Sequence, residues 1–284
     1  MNDTSKSLFL CGGLLKSGTT FLQRMLNSHP EVYCPPEHNL NTLFKSYLKI
    51  HEEYNQGILM NANLFGLEGE PIDKEIFLKN YFSLVKDIIL ANSGENKISG
   101  INDNQFLILN TEVFLAQISE SKIIVIIRNP IDNSMSYWEH HQKMFRLRNN
   151  PNWLNPIKTN GELNKEKFVI EFSREWNKKI SNIVKVSDKY PNRLMIVRYE
   201  DLVNDKFETL EKVFIFLNAN SSATLLDDIC KKSSLEKHRL ASKNPEFYNL
   251  GRTNFGAGDL NENTISLAKN KSKDMWSLFY ENHI

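Results

Sequence analysis

The sequence predicts an α/β fold in which a central parallel sheet is flanked by helices. Unbroken apolar runs without a helical period, of which 122–127 is the clearest, are typical of strands buried on both faces of a parallel sheet. Patterns with helical spacing follow them, and this alternation implies parallel strands connected by crossover helices on both faces. Strand-like and helical segments alternate at 8–12, 18–28, 122–127, 131–145, 194–197 and 205–218.

The segments between these elements complete the prediction. Residues 97–100 form a second strand, and Asp73 is placed as the N-cap of a long helix that ends near 92. The other predicted helices are 39–50, 104–118, 164–189, 222–232 and one closing helix, and the predicted loops are 55–72, 149–163 and 249–260. We interpret residues 1–284 as a single domain with helical and loop insertions at about 39–95 and 146–190.

Composition limits the classes of protein to consider. A chain of 284 residues with 40% apolar content can bury a full core, and its net charge of +1 gives no support for binding nucleic acid. Cys11, Cys34 and Cys230 lack the spacing of metal ligands and suit a reducing compartment. The polar start and the short apolar run after it predict no signal peptide and no membrane insertion. We therefore expect a cytoplasmic protein, and its oligomeric state stays open.

The first predicted strand leads through a short polar loop into a helix. The loop contains Lys16, Ser17, Thr19 and Thr20, which supply one positive charge and three hydroxyl groups. The backbone N–H groups of a loop and of a first helical turn have no helical partner, and the helix dipole adds partial positive charge there. The sequence therefore predicts an anion site for the phosphates of a nucleotide, with a βα turn that binds nothing as the alternative.

The loop departs from the common P-loop in the position of its lysine. Gly13 and Gly18 occupy the glycine positions of G-x-x-x-x-G-K-[ST], and Thr20 occupies the Ser/Thr position. Thr19, however, replaces the lysine, and Lys16 lies inside the loop instead. This arrangement suggests a donor whose leaving phosphate is bound without the usual pair of lysine and magnesium ion.

Two further groups follow the ends of later strands. Arg128 comes directly after a strand, Ser136 lies two turns into the next helix, and Arg198 and Tyr199 follow the last strand. Because ligands bind beyond the carboxyl ends of parallel strands, we expect these groups to meet the Lys16 loop at one sheet edge. The planar guanidinium of Arg128 can bind a phosphate with two hydrogen bonds.

Together these blocks resemble the sulfotransferases that use 3′-phosphoadenosine 5′-phosphosulfate (PAPS). The blocks are Lys-Ser-Gly-Thr-Thr at 16–20, Arg-Asn-Pro-x-Asp-x-x-x-Ser-Tyr at 128–137, and Val-Arg-Tyr-Glu-Asp-Leu at 197–202. The resemblance implies a P-loop-like sulfotransferase fold and metal-independent, in-line transfer of a sulfuryl group to a hydroxyl or amine. It implies PAPS as donor and 3′-phosphoadenosine 5′-phosphate (PAP) as product.

The resemblance also assigns roles to residues. Arg128 and Ser136 match the pair that binds the 3′-phosphate, and Tyr199 matches a tyrosine near the adenine. Arg252, in a loose counterpart of a late Arg-Lys-Gly segment, is a further donor contact. Lys16 would neutralise the leaving phosphate oxygen, whereas Glu200 and Asp201 act structurally. The residues that match the loop around the 5′-phosphosulfate are Lys16, Ser17, Gly18, Thr19 and Thr20.

The base that accepts the proton of the acceptor has three candidates. Residues 99–104 contain no histidine, unlike the small-molecule members in which a histidine follows the second strand. In members that resemble carbohydrate or tyrosyl-protein sulfotransferases, a glutamate lies on the loop after a His-Pro turn, and Glu37 matches it. We expect Glu37 to be the catalytic base, with His38 as the second choice and Asp103 as the third.

Two other functions compete with this interpretation. A P-loop kinase would need Mg²⁺ and a carboxylate at a strand end, and the strand at 122–127 does not end in one. A non-catalytic protein could keep the nucleotide site for regulation. The acceptor stays open between a small molecule, a carbohydrate and a peptide.

Overall fold

The computed structural model describes residues 6–36, 38–66, 69–91, 93–232, 253 and 256–281. The strands are β1 Ser7–Gly13, β2 Val32–Tyr33, β3 Ile98–Asn102, β4 Ser121–Ile127 and β5 Leu194–Arg198. The helices are α1 Thr19–Asn27, α2 Leu40–Phe65, α3 Lys74–Ala91, α4 Asn104–Gln117, α5 Pro130–Arg148, α6 Lys165–Lys189, α7 Tyr199–Asn204, α8 Lys206–Leu217, α9 Ala223–Lys232, α10 Glu262–Lys271 and α11 Lys273–Phe279. Short 3₁₀ helices lie at Pro151–Ile157 and Gly256–Asp259.

The strands form one parallel sheet in the order β2-β3-β1-β4-β5. β1 lies in the centre, and its last residues are in register with the ends of both neighbours, since Cys11 pairs with Asn102 and Gly13 with Ile126. The carboxyl ends of β1, β4 and β5 therefore meet at one edge. The predicted parallel sheet is confirmed.

Helices cover both faces of this sheet. Because successive strand residues point to opposite faces, neighbours in β1 belong to different clusters. Leu10 packs with the side of the core that contains Trp176 of α6, whereas Phe9 packs with Met25 of α1 and Phe214 of α8. Both faces of β1 are thus buried, as its apolar run predicts. No described helix has the length and apolar character that crossing a membrane requires.

The predicted loop at 55–72 is wrong over its first part, because α2 continues to Phe65. The ring of Tyr47 in α2 packs at a tilt against that of Phe77 in α3, with the ring centroids 4.1 Å apart. The Asn55 side chain accepts a hydrogen bond from the Ile72 N–H at 2.8 Å and donates to the Ile72 carbonyl oxygen at 3.0 Å. These contacts hold α2 and α3 together, and such packing overrides the weak helix propensity of Gly and Asn.

Other boundaries agree with the sequence or differ in detail. The Asp73 carboxylate accepts from the N–H of Glu75 at 2.8 Å, which confirms the predicted helix cap. The predicted loop at 149–163 contains a 3₁₀ helix, and the single closing helix is the pair α10 and α11. The short helix α7, which starts at Tyr199 directly after β5, was not predicted.

Candidate active site

The loop of residues 14–18, here called the Lys16 loop, joins β1 to α1. Lys16 and Gly18 both adopt left-handed backbone conformations, with φ of 69° and 103°. Gly18 is the N-cap residue of α1, and no side chain caps this helix end. The first N–H groups of α1 are therefore directed toward the loop without a side-chain acceptor, which is the arrangement that binds phosphate groups in other proteins.

Close packing fixes the position of this loop. A Cβ atom on Gly13 would lie 2.1 Å from the carbonyl oxygen of Ile126 in β4. A Cβ atom on Gly18 would lie 2.3 Å from the ring of Tyr199. Both contacts are far too short, so glycine is required at both positions, and the loop is pressed against β4 and α7.

Two polar atoms around the loop are buried without a hydrogen-bond partner in the part of the chain that the structure describes. They are Oγ of Ser17 and Oδ1 of Asn133. Buried polar groups are almost always paired, so unpaired atoms beside an uncapped helix end fit a site whose ligand supplies the partner. Of the other predicted contacts, Thr19 is buried and Thr20 is exposed at the start of α1.

Arg128 brings the three sequence blocks together. It follows β4 and is buried, with 5% of its surface exposed. Its Nη1 donates a hydrogen bond to the carbonyl oxygen of Lys16 at 3.3 Å, and its guanidinium carbon lies 4.6 Å from the centroid of the Tyr199 ring. The aromatic ring and the carbonyl thereby orient the guanidinium at the Lys16 loop.

Helix α5 forms another side of the site. Nδ2 of Asn133 donates to the carbonyl oxygen of Leu15 at 2.8 Å, which joins α5 to the Lys16 loop. Ser136 lies one turn further along and is buried. The N–H of Gly256, in the predicted 249–260 loop, donates to Oδ1 of Asp132 at 2.9 Å, which places Gly256 at the start of this helix. Arg252 itself lies outside the described residues.

The predicted meeting of Arg198 with the site is wrong, although Tyr199 is placed there. The guanidinium of Arg198 forms an ion pair with Asp201 and donates to the carbonyl oxygen of Phe279 at 2.5 Å. It therefore ties β5 to α11 instead of reaching the Lys16 loop. Oε1 of Glu200 accepts from the N–H of Asn129 at 2.9 Å, so Glu200 and Asp201 act structurally, as predicted.

Of the three candidate bases, Glu37 lies outside the described residues and His38 is exposed between β2 and α2. Asp103 is buried, and its two carboxylate oxygens accept from backbone N–H groups. Oδ1 accepts from Phe106 at 3.0 Å and Oδ2 from Leu40 at 2.8 Å. Asp103 therefore caps the starts of both α4 and α2, which accounts for its carboxylate without a role in proton transfer.

The Lys16 side chain lies close to other positive charges. Burial, followed by the charges of Arg128 and Lys143, lowers the pKa of Lys16 to about 8. When an anion binds beside a lysine that lies near other cations, it stabilises the protonated form of that lysine. The electrostatics thus favour an anionic ligand at the Lys16 loop.

Sequence reasoning missed His140, which lies one turn after Ser136 on α5. Burial, followed by the charge of Lys16, lowers the pKa of His140 to about 4. Its imidazole is therefore neutral at pH 7, and protonation of the ring is disfavoured by its surroundings. The signal in the sequence was its spacing of four residues from Ser136, which places both on one face of a helix.

The comparisons with known proteins agree with this geometry. The model of the sulfotransferase domain family matches residues 6–253, and the chain belongs to this family. Its reaction class is therefore sulfuryl transfer, and the chain is an enzyme of the sulfotransferase type.

Solved structures with the same fold are distant in sequence. Mouse sulfotransferase SULT7A1 complexed with PAP is 16% identical, with 98% of this chain and 88% of that chain covered and a TM-score of 0.60. The sulfotransferase domain from the curacin biosynthetic pathway is 19% identical, covers 96% of both chains and has a TM-score of 0.52. Retinol dehydratase in complex with androsterone and inactive cofactor PAP is 16% identical, with 97% of this chain and 83% of that chain covered and a TM-score of 0.56. No curated protein sequence matches the chain significantly.

Proposed function

We propose that the protein transfers the sulfuryl group of PAPS to a hydroxyl or amine of its acceptor, with PAP as product. The observation that carries this proposal is the position of Arg128, which contacts both the Lys16 carbonyl and the Tyr199 ring. A buried guanidinium beside an uncapped helix end offers two anion sites, as a donor with two separate phosphate positions requires. Two of the similar structures hold PAP, which supports the same donor.

Each group of residues has a proposed role in this reaction. The Lys16 loop, with Ser17, Thr19 and Thr20, binds the 5′-phosphosulfate, and Arg128 and Ser136 bind the 3′-phosphate. The donor supplies an activated sulfuryl group. The loop holds it in line with the acceptor, and the charge of Lys16 stabilises the oxygen that leaves.

The remaining roles rest on the resemblance alone. Tyr199 lies against the adenine, and Arg252 adds a contact to the 3′-phosphate. Glu37 is proposed as the base, with His38 as second choice, and no metal ion is required. The proposal treats the chain as one sulfotransferase domain, in which 39–95 and 146–190 are insertions that shape the acceptor side.

A test of the proposal is to substitute Glu37→Gln. The variant should bind PAP as tightly as the unsubstituted protein but transfer at least about 100-fold more slowly, since a positioned base contributes about 10²–10⁴-fold. Radiolabelled PAPS with pools of phenols, sugars and tyrosine-containing peptides first identifies an acceptor, and single-turnover rates are then measured with it.

The control for this variant is His38→Gln, which removes the exposed neighbouring side chain and should slow transfer less than tenfold. If His38→Gln loses transfer and Glu37→Gln does not, the catalytic base is His38 and not Glu37. If no pool accepts label although PAP binds, the protein is a nucleotide-binding protein without transferase activity, and the proposal fails.

The lowered pKa of Lys16 predicts how PAP binding depends on pH. Below about pH 8 the lysine of the free protein is protonated and attracts the anion. Above it the free lysine is neutral, so that binding must take up a proton and the affinity falls by up to about tenfold per pH unit. Calorimetric titrations between pH 7 and pH 9, in two buffers of different ionisation enthalpy, measure both the PAP affinity and the number of protons taken up on binding.

Lys16→Arg should remove the pH dependence of PAP binding, because the guanidinium stays charged. A flat profile in the unsubstituted protein would contradict the expected contact.

A further inference from the structure

A cavity of about 310 Å³ lies beside the Lys16 loop, on the face of the sheet that α4, α5 and α6 cover. Gly13, Leu14 and Leu15 form one wall of it, directly before Lys16. Its volume is at the lower end of the about 300–1,000 Å³ that is typical of small-molecule sites. The cavity therefore has the size for a compact molecule and not for a folded partner.

The cavity and the proposed donor site share this wall. The carbonyl oxygen of Leu15 accepts from Asn133 at 2.8 Å, and Tyr137, one turn after Asn133 on α5, also lines the cavity. A molecule held in the cavity thus lies next to the end of the donor that Lys16 binds.

Most of the lining is aromatic or aliphatic. The rings of Tyr137 and Phe168 are nearly parallel, with centroids 6.0 Å apart and an interplanar angle of 21°. The ring of Phe172 lies 5.7 Å from that of Phe168. Leu109 of α4 lines the cavity and is 62% exposed, so that an occupant would cover apolar surface that now faces solvent. These walls suit a ring or a short alkyl chain.

The side chain of Lys179 places one positive charge among these apolar groups. Lys179 is the only charged side chain lining the cavity within the described ranges, and it lies on the same face of α6 as Phe168 and Phe172. It forms no hydrogen bond or ion pair with a described residue, and no acidic residue of the described part lines the cavity. A half-buried ammonium with no counter-charge among the described residues favours an occupant that provides one.

We propose that the acceptor of this enzyme is a ring-bearing, apolar molecule that carries a carboxylate, and that Lys179 selects it by binding this carboxylate. The inference rests on the proposed sulfotransferase function, because the cavity is assigned to the acceptor by its position beside the Lys16 loop, which is proposed to bind the donor. Neutral and cationic molecules of the same shape are the poorer acceptors, because they leave Lys179 without a partner.

The test compares hydroxyphenylpropanoate with its methyl ester, which has the same ring and chain but no charge and one additional methyl group. Dissociation constants are measured by calorimetry on the protein saturated with PAP. The carboxylate should bind about tenfold more tightly than the ester, as expected for a charge-assisted hydrogen bond at a half-buried site. Lys179→Met should abolish this preference and leave ester binding unchanged. The control Lys178→Met, which removes an exposed lysine on the same helix, should preserve it.

Several results would overturn the inference. They are equal affinity for the acid and the ester, a preference that survives in Lys179→Met, or no binding of either probe. PAP affinity is measured in parallel for all three proteins and should be the same. If the unsubstituted protein fails to bind PAP, the proposed function fails as well. If PAP binds normally while the carboxylate preference is absent, only the role of Lys179 is wrong.

Discussion

Lys16→Met will slow sulfuryl transfer by about 10²–10³-fold, the size of effect seen when one preorganised group that stabilises a developing anion is removed. Lys16 is placed for this role by its left-handed backbone and by burial next to Arg128, which donates to its carbonyl oxygen. The substitution keeps the Cβ atom and the length of the side chain, so the loop should keep its shape. Single-turnover rates with saturating donor measure the loss directly.

Two variants serve as controls for Lys16. Lys16→Arg keeps the charge and should retain more activity than Lys16→Met. Lys143→Met removes a cation that also lowers the pKa of Lys16 but that we assign no contact with the donor, so its transfer rate should stay within about tenfold of the original. Transfer by Lys16→Met at a rate within tenfold of the unsubstituted protein would show that this lysine does not stabilise the leaving oxygen.

Arg128→Ala will weaken PAP binding by about 100-fold, which corresponds to about 2.7 kcal/mol. The reason is that the guanidinium is buried and held by the Tyr199 ring, so that it is already oriented for a phosphate and loses little entropy on binding. Arg128→Lys should recover only part of the affinity, because an ammonium cannot form the two parallel hydrogen bonds of a guanidinium. Calorimetric titration with PAP gives the dissociation constants.

The matched control for Arg128 is Arg198→Ala. Both arginines stand at the carboxyl end of neighbouring strands, but Arg198 is turned toward Asp201 and the carbonyl oxygen of Phe279. Its loss should lower the free energy of unfolding and leave PAP affinity nearly unchanged. Equal losses of affinity in the two variants would mean that Arg128 acts through stability alone, and thermal unfolding of each variant separates these cases.

The sequence could predict which residues meet at the sheet edge because topology alone determines where parallel strands end. Buried runs identify the parallel strands, parallel strands end at one edge, and Lys16, Arg128 and Tyr199 stand at or just beyond those ends. The direction of a side chain does not follow from topology. Arg198 turns away because α11 supplies a carbonyl acceptor from more than 80 residues further along the chain.

Other features depended on packing that no local pattern reveals. Helix α2 continues beyond residue 50 where the His51 ring packs on Phe77 of α3 and the Asn55 side chain pairs with the backbone of Ile72. The neutral state of His140 follows from its burial close to Lys16, and the cavity with Lys179 forms only where α4, α5 and α6 come together.

The most direct test of the account is a calorimetric titration of the protein with PAP in the presence of EDTA. We expect one PAP molecule per chain with a dissociation constant of about 1 μM or lower, and much weaker binding of ATP, which lacks the 3′-phosphate that Arg128 and Ser136 are proposed to hold. ATP binding that requires magnesium, together with no detectable binding of PAP, would contradict the account.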